Sequence, residues 1–208
     1  MITAFLLWGS GFAWSAILHH VANVLVGNQK RTISFPIFEL LMTGSLVLLF
    51  YVNAYFFACA LFFSALGITF ITDFSAMLIS RWFSLYLVPV GILLSWYQMF
   101  PISWPESIVA SLAGYFLLYG INKIFYWYKK QDGLGQGDMD LMALIGAFTG
   151  LLGVWFVILI GSLLGVITMF FSKSVKTYVP FGPFLVIGAI FFVVLQIQIE
   201  AVVATIFC

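Results

Sequence analysis

Residues 139–171 hold a single charged side chain, Asp140. A stretch that long and that apolar restricts the chain to few folds. A helix of about 20 apolar residues crosses the hydrocarbon core of a bilayer, and it satisfies its backbone N–H and C=O groups internally. Comparable runs occupy residues 2–26, from Pro36 to about Tyr51, on to about Thr72, 83–99, 107–127, and from about 184 to the C-terminus. Only 7% of the residues are charged and 64% are hydrophobic, whereas a soluble domain carries about 25% charged residues. The sequence therefore predicts an all-α polytopic membrane bundle, one integral-membrane domain over 1–208. The net charge of +1 gives no electrostatic footprint for nucleic acid. Cys59 and Cys208 lie far apart in apolar segments and form no CxxC pair, so no metal site is expected. The first run has no basic segment before it and no small-residue cleavage site, which reads as a retained helix.

The run 139–171 is too long for one ordinary span and short for two, with Gly150 and Gly153 marking a possible turn. Charge distribution chooses between the two. If the run is two short spans, the breaks holding Lys30, Arg31, Arg81, Lys129, Lys130, Lys173 and Lys176 fall on one side. The opposite breaks, around Asn53, Pro101 to Pro105 and Gly150 to Gly153, hold no Lys or Arg. The excess of cations marks the cytoplasmic side. The expectation is about eight transmembrane helices with both termini non-cytoplasmic. Tyr126, Trp127 and Tyr128 followed by Lys129 and Lys130 suit a membrane surface.

The most polar run is Gly133-Leu134-Gly135-Gln136-Gly137-Asp138, directly before the long apolar stretch. Its glycines let another backbone approach without side-chain interference. Asp73 stands in a similar setting, straight after the apolar run Leu66 to Ile71. Both aspartates fall on the cytoplasmic face of a topology set by Lys and Arg alone. An acidic group at a helix start also serves as a cap. A chemical role is the alternative, because intramembrane carboxylates tend to face an interior cavity. Two carboxylates brought together share one proton. The ionised member can then activate a water while the protonated member polarises a carbonyl, as in aspartic proteases. Among the other acids, Asp132 reads as solvated beside Lys129 and Lys130, and Glu106 as an N-terminal helix charge. Asp140 is expected either at a solvated helix start or facing substrate. Glu39 lies in a membrane helix near the cytoplasmic end and suits a polar partner or substrate role.

Four segments then resemble the bacterial type IV prepilin peptidases, in that family's order. The glycine run ending in Asp138, with Leu141, Ala143, Gly146-Ala147-Phe148 and Gly150, looks like the family's GxGD signature. The stretch from Phe70 to Ile79 resembles its first-aspartate segment. The stretch from Phe35 to Gly44, with Pro36, Glu39 and Thr43-Gly44, is similar to its second-helix motif. The stretch from Val179 to Ala189 is similar to the start of its last helix. The resemblance implies a GxGD membrane aspartyl protease. Such enzymes cut the short basic leader peptide from type IV prepilins and type II secretion pseudopilins, at the cytoplasmic face of the bacterial inner membrane. Asp73 and Asp138 match its catalytic pair, with Gly133, Gly135, Gly137, Asp140 and Glu39 in supporting or substrate-binding roles. No cofactor is implied for peptide cleavage.

The chain departs from the family pattern at three places. Ser80 stands where a proline is usual, and Asp140 where a lysine is usual. The short join between the first and second spans holds no cysteine, whereas many members carry an insert there with two CxxC pairs. Many members also methylate the new N-terminus with S-adenosylmethionine, an activity linked to that part, so the resemblance implies peptidase activity more directly than methylation. Other readings of the same residues are a membrane transporter using Asp73 and Asp138 as a proton or cation site, a GxGD protease for preflagellin-like substrates, and a degenerate, inactive member.

Overall fold

The computed structural model describes residues 20, 24, 56–171 and 180–207. Every regular element among them is helical: α1 (Phe56–Ala76), a short 3-10 helix (Leu85–Leu87), α2 (Val88–Trp96), α3 (Trp104–Lys129), α4 (Gln136–Phe171) and α5 (Gly182–Phe207). Apart from residues 20 and 24, the first two expected spans, Glu39 with them, lie outside the described residues, as do Lys173 and Lys176, and so does part of the expected total of eight spans.

The centre of the bundle is the first part of α4. Every residue from Asp138 to Gly150 is buried, as expected of a helix that is apolar all round. Against it lies α3, whose small residues let the two backbones come close. Ala110 faces Gly146, and Gly114 faces Met142. The hydroxyl of Ser107 donates to the carbonyl of Ala147 across this contact at 2.7 Å. Phe148 anchors the other side. Its ring stacks on Phe62 of α1 at 4.7 Å and meets Phe100 edge-on at 5.3 Å.

α4 is not one straight rod. Gly150 has φ 72 and ψ −175, which is outside helical geometry. A side chain there would be strained, and Glu106 and Ile102 also crowd the position where a Cβ would stand. Neighbours on either side of Gly150 fix the path of the chain. Before it, Met142 meets Gly114 and Gly146 meets Ala110, so the first arm runs antiparallel to α3. After it, Gly153 faces Phe192, Gly161 faces Leu185 and Gly165 faces Phe181, so the second arm runs antiparallel to α5. The start of α5 in turn covers Asp73. The second arm therefore returns towards the end of the bundle where the first arm began. This agrees with the expected division of 139–171 into two segments, turning at Gly150.

Two boundaries differ from the sequence expectation. α1 continues through Asp73 for one further turn, to Ala76, and stops where Met77 adopts φ 53. The stretch expected as a span over 83–99 is shorter and broken, with helix only over 85–96 and an irregular segment before it. Pro89 accounts for the second difference: it sits in the first turn of α2, where its missing N–H has no partner to lose. α3 is long and apolar enough to cross a membrane, and α4 is as apolar over its two arms. Their outer faces expose Val109, Leu112, Phe116, Leu152, Leu159 and Val166, an apolar surface that suits lipid rather than water.

Replacing Gly150 by alanine should destabilise the protein by about 1–3 kcal/mol, because this backbone region is essentially confined to glycine. Thermal unfolding of the detergent-purified variant measures this. An unchanged midpoint would mean that the reversal does not depend on Gly150.

Candidate active site

Asp73 and Asp138 reach the same place from different elements. Asp73 lies near the C-terminal end of α1, and Asp138 in the first turn of α4. They are 5% and 7% exposed, too buried for ordinary surface caps. They are close enough for the charge of Asp73 to act on Asp138. Each accepts a backbone N–H: Asp73 from Gly182 at the start of α5, and Asp138 from Gly135 just before α4. The second contact is the reach-back of an acidic residue at the third helical position to the N-cap amide. Asp138 thus does cap its helix, as one reading of the sequence expected, while also facing a second carboxylate. The Oδ2 atom of Asp73 is buried with no hydrogen-bond partner among the described residues. A buried acceptor left unpaired costs about 1–3 kcal/mol, so a carboxylate oxygen is held here at an energetic cost.

Gly182 has to be glycine for a local reason. A Cβ at that position would run into Oδ2 of Asp73. At Gly137, a Cβ would come within 2.5 Å of Ile79 on the segment after α1. The glycines therefore serve close packing around the two carboxylates. Gly133 and Gly135 are exposed, on the loop leading into α4.

That loop is tied down by a residue the sequence reading did not single out. The side-chain oxygen of Asn122 on α3 accepts from the backbone N–H groups of Gly133 at 2.8 Å and Leu134 at 3.0 Å. Its amide nitrogen donates to Asp132 at 3.2 Å. Asp132 is exposed, as expected, but held by this bond. A polar residue amid the apolar run of α3, eleven residues before the glycine loop, was the available signal. Glu106 stands in the first turn of α3, at the far end from the carboxylates.

Asp140 corrects the solvated reading. It is 1% exposed, and Nε of Arg81 lies 3.4 Å from its Oδ2. Side chains two positions apart point to nearly opposite sides of a helix, at 100° per residue. Asp138 therefore turns towards Asp73 while Asp140 turns away from it. Among the described residues, no group of three or more His, Cys, Asp or Glu side chains could hold a metal ion.

Two buried carboxylates at helix ends, beside a glycine loop in an all-helical bundle, are the kind of feature that marks a functional site in a membrane protein. Comparison with known proteins places the chain more narrowly. The profile of the type IV leader peptidase family matches residues 60–170, more than half of the chain, and the chain belongs to that family. A type 4 prepilin-like proteins leader peptide-processing enzyme of Escherichia coli O78:H11 is 32% identical over 106 residues, which is 51% of this chain and 39% of that one. A prepilin leader peptidase/N-methyltransferase of Xanthomonas campestris is 34% identical over 87 residues, 39% of this chain and 30% of that one. One of Aeromonas hydrophila is 29% identical over 127 residues, 59% and 43% of the two chains. The matched stretch thus covers less than half the length of each relative. No solved structure gives a significant match.

Replacing Asn122 by alanine should free the glycine loop without unfolding the bundle. Hydrogen exchange at the Gly133 and Leu134 amides is expected to speed up by at least about tenfold, the equivalent of one lost hydrogen bond of roughly 1–1.5 kcal/mol. Exchange within the buried first arm of α4 should stay as it was. Equal protection in both proteins would show that Asn122 does not hold the loop.

Proposed function

We propose that this protein is a membrane aspartyl endopeptidase that removes the basic leader peptide from type IV prepilins or type II secretion pseudopilins. The observation that carries the reading is the convergence of Asp73 and Asp138, buried and arriving from separate segments, with one carboxylate oxygen unpaired among the described residues. Family membership and the names of the relatives support the substrate class.

In this reading the pair holds one proton, because two adjacent buried carboxylates resist carrying two charges. The ionised carboxylate takes a proton from water as the oxygen attacks the scissile carbonyl. The protonated carboxyl gives its proton to the carbonyl oxygen, leaving a neutral tetrahedral gem-diol. Collapse of that diol breaks the C–N bond. A carboxyl proton passes to the leaving amine, the diol returns one proton to the pair, and the starting protonation is restored. The Oδ2 of Asp73, unpaired among the described residues, suits the partner of a water or a carbonyl. Gly135, exposed beside the pair, leaves room for an extended peptide, while Gly137 supports the site by letting Ile79 pack closely against the start of α4; Gly133 and Glu39 are assigned supporting or substrate-binding roles.

The reading includes the topology of about eight spans with both termini non-cytoplasmic in the bacterial inner membrane. Cleavage then occurs at the cytoplasmic face, where the basic leader resides. Peptide cleavage uses water alone. S-adenosylmethionine serves only a methyltransferase activity, which we do not assign to this chain.

Cleavage of a purified prepilin by the detergent-solubilised protein tests the proposal. Asp73→Asn and Asp138→Asn should each lower kcat/KM by on the order of a thousandfold or more, while thermal unfolding stays close to that of the wild type. If folded single variants cut as fast as the wild type, the two-aspartate mechanism is wrong. If the wild type itself leaves several prepilins and pseudopilins intact, the substrate assignment falls, and proton flux through the same variants decides the transport alternative.

A further inference from the structure

The segment after α1 grips the start of α4 at two points. Ile79 packs against Gly137, and Arg81 pairs with Asp140. Positions 137 and 140 share one face of the helix, since residues three apart are neighbours on its surface. Asp138 projects from a different face, towards Asp73 on α1. The chain around Asp73 thus reaches the start of α4 from two sides, through the charge of Asp73 and through the contacts of Ile79 and Arg81. The start of α4 is held between them.

The ion pair is asymmetric. The Asp140 side chain is 2% exposed, whereas that of Arg81 is 53% exposed. The contact lies within ion-pair reach at 3.4 Å, yet Oδ2 of Asp140 has no hydrogen bond among the described residues. A buried carboxylate stripped of its partner is far costlier than a broken surface pair. Asp140 therefore has a strong reason to keep Arg81 in place, and Arg81 holds the segment 77–84 down.

We propose that Arg81 and Asp140 are positioning residues that set the approach of Asp73 to Asp138. Arg81 offsets the charge of Asp140, so that the neighbouring pair is not burdened by a third uncompensated carboxylate. It also fixes the end of α1 against the start of α4. The proposal rests on the two-aspartate reading for its effect on turnover, but the clasp itself can be measured without any substrate.

The test uses the full chain in detergent with five variants: Arg81→Ala, Arg81→Lys, Arg81→Asp, Asp140→Lys and the exchanged double variant Arg81→Asp/Asp140→Lys. Hydrogen exchange of residues 77–84 and 136–141 is one readout, and cleavage of a purified prepilin the other. Arg81→Ala should speed exchange in both segments. It should lower kcat by about 10- to 100-fold, the scale expected when reacting groups are slightly misplaced, with KM changed less than kcat. Arg81→Lys should retain most of the activity. The exchanged double variant should recover both readouts relative to either of its singles. Unchanged exchange in Arg81→Ala, or a double variant no better than the worse single, overturns the pairing. Altered exchange with unchanged kcat overturns the positioning role. If the wild type cuts no prepilin, the peptidase reading fails, and the exchange data alone decide whether the clasp exists.

Discussion

Two buried carboxylates, near enough for the charge of one to act on the other, make the strongest demand on this fold. Neither Asp73 nor Asp138 is exposed enough to be relieved by bulk water, and a carboxylate in an apolar setting needs fixed donors or a shared proton. The helices supply the donors from their ends. The amide of Gly182 opens α5 over Asp73, and that of Gly135 precedes α4 beside Asp138. The N-terminal end of α4 also places unsatisfied amides and the positive end of its dipole near Asp138. Three elements must therefore terminate at one place. Much of the local sequence serves that convergence: the stop of α1 at Met77, the glycine entry to α4 and the Pro180-Phe181-Gly182-Pro183 entry to α5.

The rest of the bundle provides a rigid seat. The first arm of α4 is buried over its full length, with Ser107 bonded across to Ala147 and Phe148 packed between α1 and the turn before α3. A core packed this closely resists displacement of Asp138 along the helix axis. The freedom in the site lies in the irregular segments, 77–84 and 131–135. Each of them is pinned by one polar side chain, Arg81 for the first and Asn122 for the second.

The helical class, the two aspartates and the turn near Gly150 were legible because each leaves a simple trace: long apolar runs, charge at run ends and glycine in an otherwise continuous stretch. Charge bias carried the division of 139–171, and the antiparallel neighbours on either side of Gly150 agree with it. The extent of α1 was harder to read, because Asp73 looks like the end of an apolar run, while the helix stops only where Met77 turns left-handed. Asp140 was read as solvated because spacing alone cannot reveal a partner, and Arg81 stands 59 residues away in the chain. Asn122 escaped notice for the same reason. Its value comes from the loop that folds back onto it, and no local periodicity records that.

The reversal at Gly150 also sets a length. The first arm of α4, residues 136–149, rises about 21 Å at 1.5 Å per residue. A bilayer's hydrocarbon core is about 30 Å thick. The central helix of the bundle is therefore shorter than the layer around it, while α3 beside it, with 26 residues, is long enough to cross. From Asp138 onward the arm is buried, so protein neighbours and not lipid surround it. Its short reach, set by a single glycine at the end opposite the carboxylates, is matched to packing inside the bundle rather than to the thickness of the host membrane.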